Sequence, residues 1–365
     1  MDKTEFDFLT SVGGRPVSPG LKYFAADPDD KVEVWNFGLL QEQGPEGLAH
    51  THETIEIRDR LTASMPRFQL KGKLSSDPTK VILWDVFKHP LVKQALISFL
   101  QKAGGRSEIY PGNKQFSGSC VGVGSGDNIC IAAAVEVAYK GDLELPVIFF
   151  WPFHYARGRY RGGMRTPGDG SFSEAQAEAI LEDGTIRADL ESVSIPMLRD
   201  NGDGLVLSGA SEEIRWSDGD AANIMALLEK GRVNRFRTSA VIRSVDDARA
   251  CIRDAKMPFM FCGMWGGLMQ CPVVGNPPCL LNRSSGSWAH NQTAMAWWDH
   301  PELGELFGIK NQWGNAHGTD PAGLPTGAYW IKAADMERQI RGGSCISVTA
   351  FDGHPALDMT FDWTA

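Results

Sequence analysis

KQFSGSCVGVGSGDNICIAAAVEVAYK, residues 114–140, is the stretch on which the reading of the fold turns. It runs from Gln115 through small residues to Cys120 and ends in an apolar, alanine-rich tail that reads as a buried helix. A cysteine on a small-residue turn ahead of a helix has a chemical use, because helix N-terminal N–H groups and their dipole favour a thiolate. A nearby amide such as Gln115 can donate to a developing oxyanion. Gly122, Gly124 and Gly126 fall inside the segment, and three interior glycines would cost a helix roughly 3 kcal/mol relative to alanine. Two starts therefore stay open. Either the helix begins at Cys120 with unusual first turns, or Asn128 caps a helix that starts near Ile129. The second would put Cys130 in a first turn, as an alternative nucleophile.

Working outward, a chain of 365 residues with 42% hydrophobic and 22% charged residues can bury a large core in one domain or two. A net charge of −9 argues against a general nucleic-acid binder, which needs clustered Lys and Arg. No apolar run approaches the roughly 18 residues of a membrane helix, and the acidic start, Met1 to Glu5, is not a signal peptide. Neither nucleic acid nor membrane is expected as a partner. Seven cysteines without secretory targeting favour free thiols in a reducing compartment. His50 and His52, with Glu53, are a weak metal signal, and no metal or other cofactor is expected. The basic, aromatic run from His154 to Arg161 reads as loop surface.

The elements follow from periodicity and punctuation. Lys31 to Phe37 alternates like a strand, and Glu56 to Leu74 gives strand-like pieces broken at Pro66. Val81 to Leu100 has helical spacing, divided at Pro90. Leu145 to Trp151 reads as a strand, followed by an irregular stretch through Gly158, Gly162, Gly163, Gly168 and Gly170. Ser173 then caps a helix to Leu181, with Gln176 completing a capping box. Helices are expected over Asp220–Lys230 and Val245–Lys256, then a buried strand over Met257–Cys262 and a loop over 263–289. Short apolar runs after Leu306 give an antiparallel sheet.

Two later stretches give Cys120 its context. His290 sits in GSWAHNQTAMAW, residues 286–297, and Asn311 in FGIKNQWG, residues 307–314. A thiol needs a base to become a strong nucleophile, and an imidazole needs a third group to fix its tautomer. Asn311 can do this while staying neutral.

These three contexts together resemble the papain-like cysteine peptidases, over about residues 112–335. The resemblance implies an α+β, two-lobed fold with a helical left lobe and an antiparallel, barrel-like sheet in the right lobe. It places an N-terminal extension at 1–105 and the peptidase-like domain at 106–365, divided near 235. It implies Cys120 as nucleophile, His290 as its ion-paired base and Asn311 as the group orienting that base. Gln115, though closer to Cys120 than its counterpart in the family, would complete the oxyanion hole. Trp313 would shield the His–Asn bond, and Gly162 and Gly163 would line the substrate cleft. In such an ion pair the thiol titrates below its usual value of about 8.5 and the imidazole above about 6.5.

The implied activity is hydrolysis of a polypeptide through an acyl-enzyme, without a cofactor. Secreted members' cysteines ahead of the nucleophile and beside the glycine pair are absent here, which fits a cytoplasmic or intraparticle location. The alternative is a structural or assembly protein, of a viral particle for instance, that keeps the fold with little or no activity and assembles through the extension. An amidase or acyltransferase using the same nucleophile is a third reading. The extension itself reads as a propeptide, an assembly region or part of the main fold.

Overall fold

Seven strands form one open antiparallel sheet: Lys80–Ile82 (β1), Thr238–Val241 (β2), Phe259–Gly267 (β3), Ser284–His300 (β4), Gly304–Lys310 (β5), Ala328–Lys332 (β6) and Ile346–Thr349 (β7). The structure, a computed structural model, describes residues 11–12, 15–16, 22–24, 33–35, 52–74, 78–141, 148–189, 194–234, 236–268, 270–342 and 344–357. The strand order is β6–β5–β4–β3–β7–β2. β4 is the longest strand, and β3 and then β1 pair with successive parts of it. β5 pairs with its C-terminal half, across a register shift between Ala294 and Ala296.

The sheet does not close, so the barrel-like right lobe expected from the sequence is corrected to an open sheet. Among the described residues β6 and β2, its outer strands, do not pair with each other. Their free edges are met by short bridges instead. Phe68 N–H donates to Val241 O and Val241 N–H to Pro66 O at the β2 edge, and Asn282 N–H donates to Trp330 O at the β6 edge. An edge satisfied in this way has no need of a closing strand.

The helices precede most of this sheet in the chain. They include His52–Ser64 (α1), Pro90–Ala103 (α2), Cys120–Lys140 (α3), Trp151–Arg161 (α4), Ser173–Glu182 (α5) and Ala210–Arg215 (α6). Several differ from expectation. α1 replaces the strand piece read between Glu56 and Pro66, while beyond Pro66 Leu70–Lys71 is a short strand. Thr54 and Leu61 are buried and Ile57 is half-buried, a helical rather than an alternating spacing, and Leu61 and Ile57 pack with Phe172 and Ala175. Pro90 does divide its segment, into a 3-10 turn at Leu83–Lys88 and α2, in which it takes the first position.

α4 begins at Trp151 and runs through Gly158, where a strand and then an irregular stretch were expected. It absorbs the basic run. Arg157 and Arg161 both bond Asp183, and Arg159 donates to main-chain carbonyls of Asp169 and Ser217. Residue Phe172, not Ser173, precedes α5, and Gln176 turns to Tyr155 O and Ser171 Oγ, so no capping box forms. Glu33–Trp35 is a strand and pairs with Lys22–Phe24, while His50 lies outside the described residues.

α3 is the axis of the core. It starts at Cys120, is apolar nearly all round and ends at Gly141, whose left-handed φ of 72° lets its N–H return to Val137 O. Its length and composition would also suit a membrane span, contrary to the sequence reading, yet its most apolar window is 100% buried inside the protein. Its glycines are explained by close approach. A Cβ at Gly122 would lie 2.6 Å from Tyr155 Cβ of α4, and one at Gly126 would lie 2.9 Å from Trp151 Cβ. Gly122→Ala is therefore expected to destabilise the protein by about 1–2 kcal/mol, since overpacking outweighs the gain in helix propensity of about 1 kcal/mol. Urea unfolding measures this, and a stabilised variant would contradict the packing.

Candidate active site

The first turn of α3 presents Cys120 to β4. Asn291 and Thr293 of β4 face the helix: Asn291 Nδ2 donates to Val121 O at 3.3 Å and Thr293 Oγ1 to Gly124 O at 3.0 Å. The backbone N–H groups of Asn291 and Val121 favour the Cys120 thiolate, the direction opposite to that of burial. Asn291, bonded to the residue after Cys120, directly follows His290 on the strand. The rival start at Asn128 is not formed. Cys130 sits ten residues into α3, roughly 15 Å along its axis from Cys120 at helical rise. There burial pushes its thiol up to about 12.

His290 is buried on β4, opposite Gly263 of β3. Its Nε2 lies 3.0 Å from Asn311 Oδ1, and the Trp313 ring stacks on the imidazole at 5.0 Å between centroids. Asn311 directly follows β5, and its main-chain oxygen accepts from Lys310 Nζ at 2.9 Å. Lys310 is itself buried facing Asp127 of α3, whose carboxyl burial pushes up to about 6. Asn311 Nδ2 points the other way, to His317 Nε2 at 2.8 Å.

Gln115 is buried, with its main-chain N–H on Gln312 O and Nε2 on Ser117 O, both at 3.0 Å. An amide nitrogen carries two hydrogens, so one can still be given to an oxyanion. From the sequence Gly162 and Gly163 are expected to line a substrate cleft. They end α4, through N–H bonds to Gly158 O and Tyr160 O, and a Cβ at Gly162 would meet Met164 and Phe172. The segment that reaches the cysteine turn is Asp169-Gly170. Asp169 Oδ1 accepts from Gly118 N–H at 2.8 Å, and Gly170 N–H donates back to Gly118 O at 2.9 Å.

Glu213 of α6 holds the same turn from the other side. Its carboxylate accepts from Phe116 N and Ser117 N at 2.9 Å, from Ser117 Oγ at 2.7 Å and from Ser119 Oγ at 2.8 Å. Four donors favour the anion, yet burial outweighs them and lifts the carboxyl to about 7. Among the described residues no group of three or more His, Cys, Asp or Glu is placed to hold a metal ion.

The electrostatics reverse the expected ion pair. Burial, opposed by the N–H groups of Asn291 and Val121, pushes the Cys120 thiol far up. Burial also drives His290 down to about 3, against the Asn311 hydrogen bond that favours its cation. Both side chains are almost completely buried, so desolvation exceeds what the helix terminus and a partner charge return. In this conformation burial favours the neutral thiol and the neutral imidazole.

Its structural neighbours are papain-like cysteine proteases. Xylellain, a cysteine protease from Xylella fastidiosa, aligns at 13% identity and a TM-score of 0.46, over 79% of this chain and 96% of its own. A procathepsin B from Trypanosoma congolense aligns at 10% identity and 0.46, over 78% and 82%. The proform of the ragweed pollen protease Amb a 11 aligns at 12% and 0.44, over 82% and 76%. Neither a sequence-family model nor a curated protein matches the chain. At such scores the likeness says nothing of individual residues, whose roles rest on the contacts above.

Sequence reasoning missed Glu213, Asp169, Asn291 and His317. Glu213 and Asp169 lie 94 and 51 residues from the turn groups they hold, with no motif to mark them. Asn291 was marked only by adjacency to His290, and His317 by its place six residues beyond Asn311.

Proposed function

We propose that the chain is a cysteine peptidase of the papain-like type that cleaves polypeptides through an acyl-enzyme on Cys120. The observation that carries this reading is the combination of Cys120 at the start of α3, where the next residue is bonded to Asn291, with the 3.0 Å His290–Asn311 bond under Trp313. As the sulfur attacks the scissile carbonyl, the thiol proton passes to His290, and the imidazolium later protonates the leaving amine. Asn311 orients the ring without a charge that would compete for the cation. The Cys120 N–H and Gln115 Nε2 are the donors for the tetrahedral oxyanion. Water then attacks the thioester with His290 as base, releasing the acid and restoring the neutral pair.

A panel of fluorogenic peptides with the reduced full-length protein tests this reading. Turnover that disappears in His290→Ala is the expected result, and no turnover on any peptide by folded protein would count against it. One observation favours the second reading, an assembly protein that retains the fold: Cys120 is wholly buried in the present conformation. That reading expects no turnover, together with a stable high-order assembly on size-exclusion chromatography.

A further inference from the structure

Asn311 is wholly buried and stands between two imidazoles. Its Oδ1 is 3.0 Å from His290 Nε2, and its Nδ2 is 2.8 Å from His317 Nε2. An amide oxygen only accepts and an amide nitrogen only donates, so this order fixes both rings. His290 must carry its proton on Nε2, which leaves the lone pair on Nδ1. His317 must present a lone pair at Nε2 and carry its proton on Nδ1, which faces Cys271 Sγ at 3.8 Å. His317 is held in that position by the edge of the Tyr329 ring at 4.8 Å and by the Trp313 ring at 6.1 Å, and only 5% of it is exposed.

We propose that His317 is a positioning residue, whose Nε2 lone pair decides which end of the Asn311 amide faces His290. The inference rests on the peptidase reading for its kinetic consequence, though not for its chemistry. An amide has nearly the same shape in its two orientations, so the hydrogen bonds of its neighbours select between them, and His317 is the neighbour at the Nδ2 end. Turned over, Asn311 would point N–H groups at His290 Nε2, which would then have to give up its proton and accept. The imidazole proton would move to Nδ1, and the basic lone pair would lie at the Asn311 end of the ring instead of the other. A base held in the wrong tautomer is costly even where the surrounding geometry is intact.

The test combines spectroscopy with kinetics on the full-length chain. With 15N-labelled histidine, two-dimensional NMR of the wild type is expected to show neutral His290 protonated on Nε2 and neutral His317 protonated on Nδ1. Assignment comes from His290→Gln and His317→Gln. His317→Leu removes the acceptor, and is expected to disturb the His290 Nε2–H signal and to lower kcat roughly tenfold to hundredfold, with KM within about threefold. Loss of an outer hydrogen-bond partner of a functional histidine has effects of that size. His317→Gln, whose Oε1 accepts but takes no proton, is expected to restore kcat to within a few fold of wild type. His317 protonated on Nε2 would overturn the inference, as would a folded His317→Leu with unchanged kcat and His290 tautomer. A folded His317→Gln as impaired as His317→Leu would also overturn it. If the wild type turns over no peptide, the peptidase reading fails, and the tautomers of the two rings still decide the role of His317. If His317→Leu does not fold, the wild-type tautomers and the His317→Gln rate decide it.

Discussion

Replacing Cys120 with alanine is expected to lower peptide turnover at least ten-thousandfold, while Cys130→Ala leaves it within a few fold. The size follows from the way a nucleophile and its base act as a unit, so that removing either one leaves only binding and oxyanion stabilisation, an effect on the order of 10⁴ or more in kcat. The contrast between the two cysteines follows from position. Cys120 is in the first turn of α3, against the strand that carries His290, whereas Cys130 is buried near Tyr110 and Phe149. Both side chains are small and wholly enclosed, so neither variant has to rearrange the helix. Rates from purified, reduced variants with matched thermal melts make the comparison. Equal losses in the two would point to damage in the core rather than to chemistry.

Glu213→Gln is expected to change how stability depends on pH, by about 3 kcal/mol relative to wild type between pH 4.5 and 7.5. The sign follows from the buried carboxyl, whose value in the fold is raised to about 7 from an ordinary 4.5. Between those values the folded protein holds a proton that the unfolded chain has released. Wild-type stability from this group is therefore fully present below about pH 4.5 and is lost as pH rises through about 7. Glutamine does not titrate, so the difference in unfolding free energy should shift toward the variant as pH rises. Above about pH 7, where the wild-type carboxylate offers only lone pairs, the variant sets an amide nitrogen against donors of the cysteine turn, so turnover should fall there. Denaturant melts of both proteins across this range read the first effect. A constant difference would mean that Glu213 stays ionised throughout, its four donors having outweighed burial.

Much of the candidate site could be read from local sequence, because its anchors carry their own contexts. Cys120 was marked by the small-residue turn, His290 by the apolar strand that follows it, and Asn311 by its neighbours Lys310 and Trp313. The strands at Phe259, Leu306, Ala328 and Ile346 were legible because short apolar runs between glycines leave few other readings, whereas the loop expected over 263–289 holds the end of β3 and the start of β4. What the sequence hid was long-range. The glycines of α3 look like helix breakers until Tyr155 and Trp151 of α4 are seen to need the space. The stretch from Glu56 reads as strand-like pieces, and only the contact with Phe172 and Ala175 shows that a helical face is buried. The shared edge of β4 gave no sign that the sheet would stay open. The contact that Asp169 and Gly170 make with the cysteine turn carried no motif. The expected charges on Cys120 and His290 are opposed by burial for a related reason. Helix dipole and mutual attraction are visible in a motif, whereas the burial that outweighs them belongs to the whole fold.

The central claim is that Cys120 is a nucleophile activated by His290. The most direct measurement is covalent labelling by a peptidyl epoxide, mapped over all seven cysteines by mass spectrometry in the wild type and in His290→Ala. The account predicts one adduct, on Cys120, forming at least about a hundredfold more slowly in the variant, as loss of a general base implies. An adduct on another cysteine, or labelling of Cys120 at the same rate without His290, would contradict it.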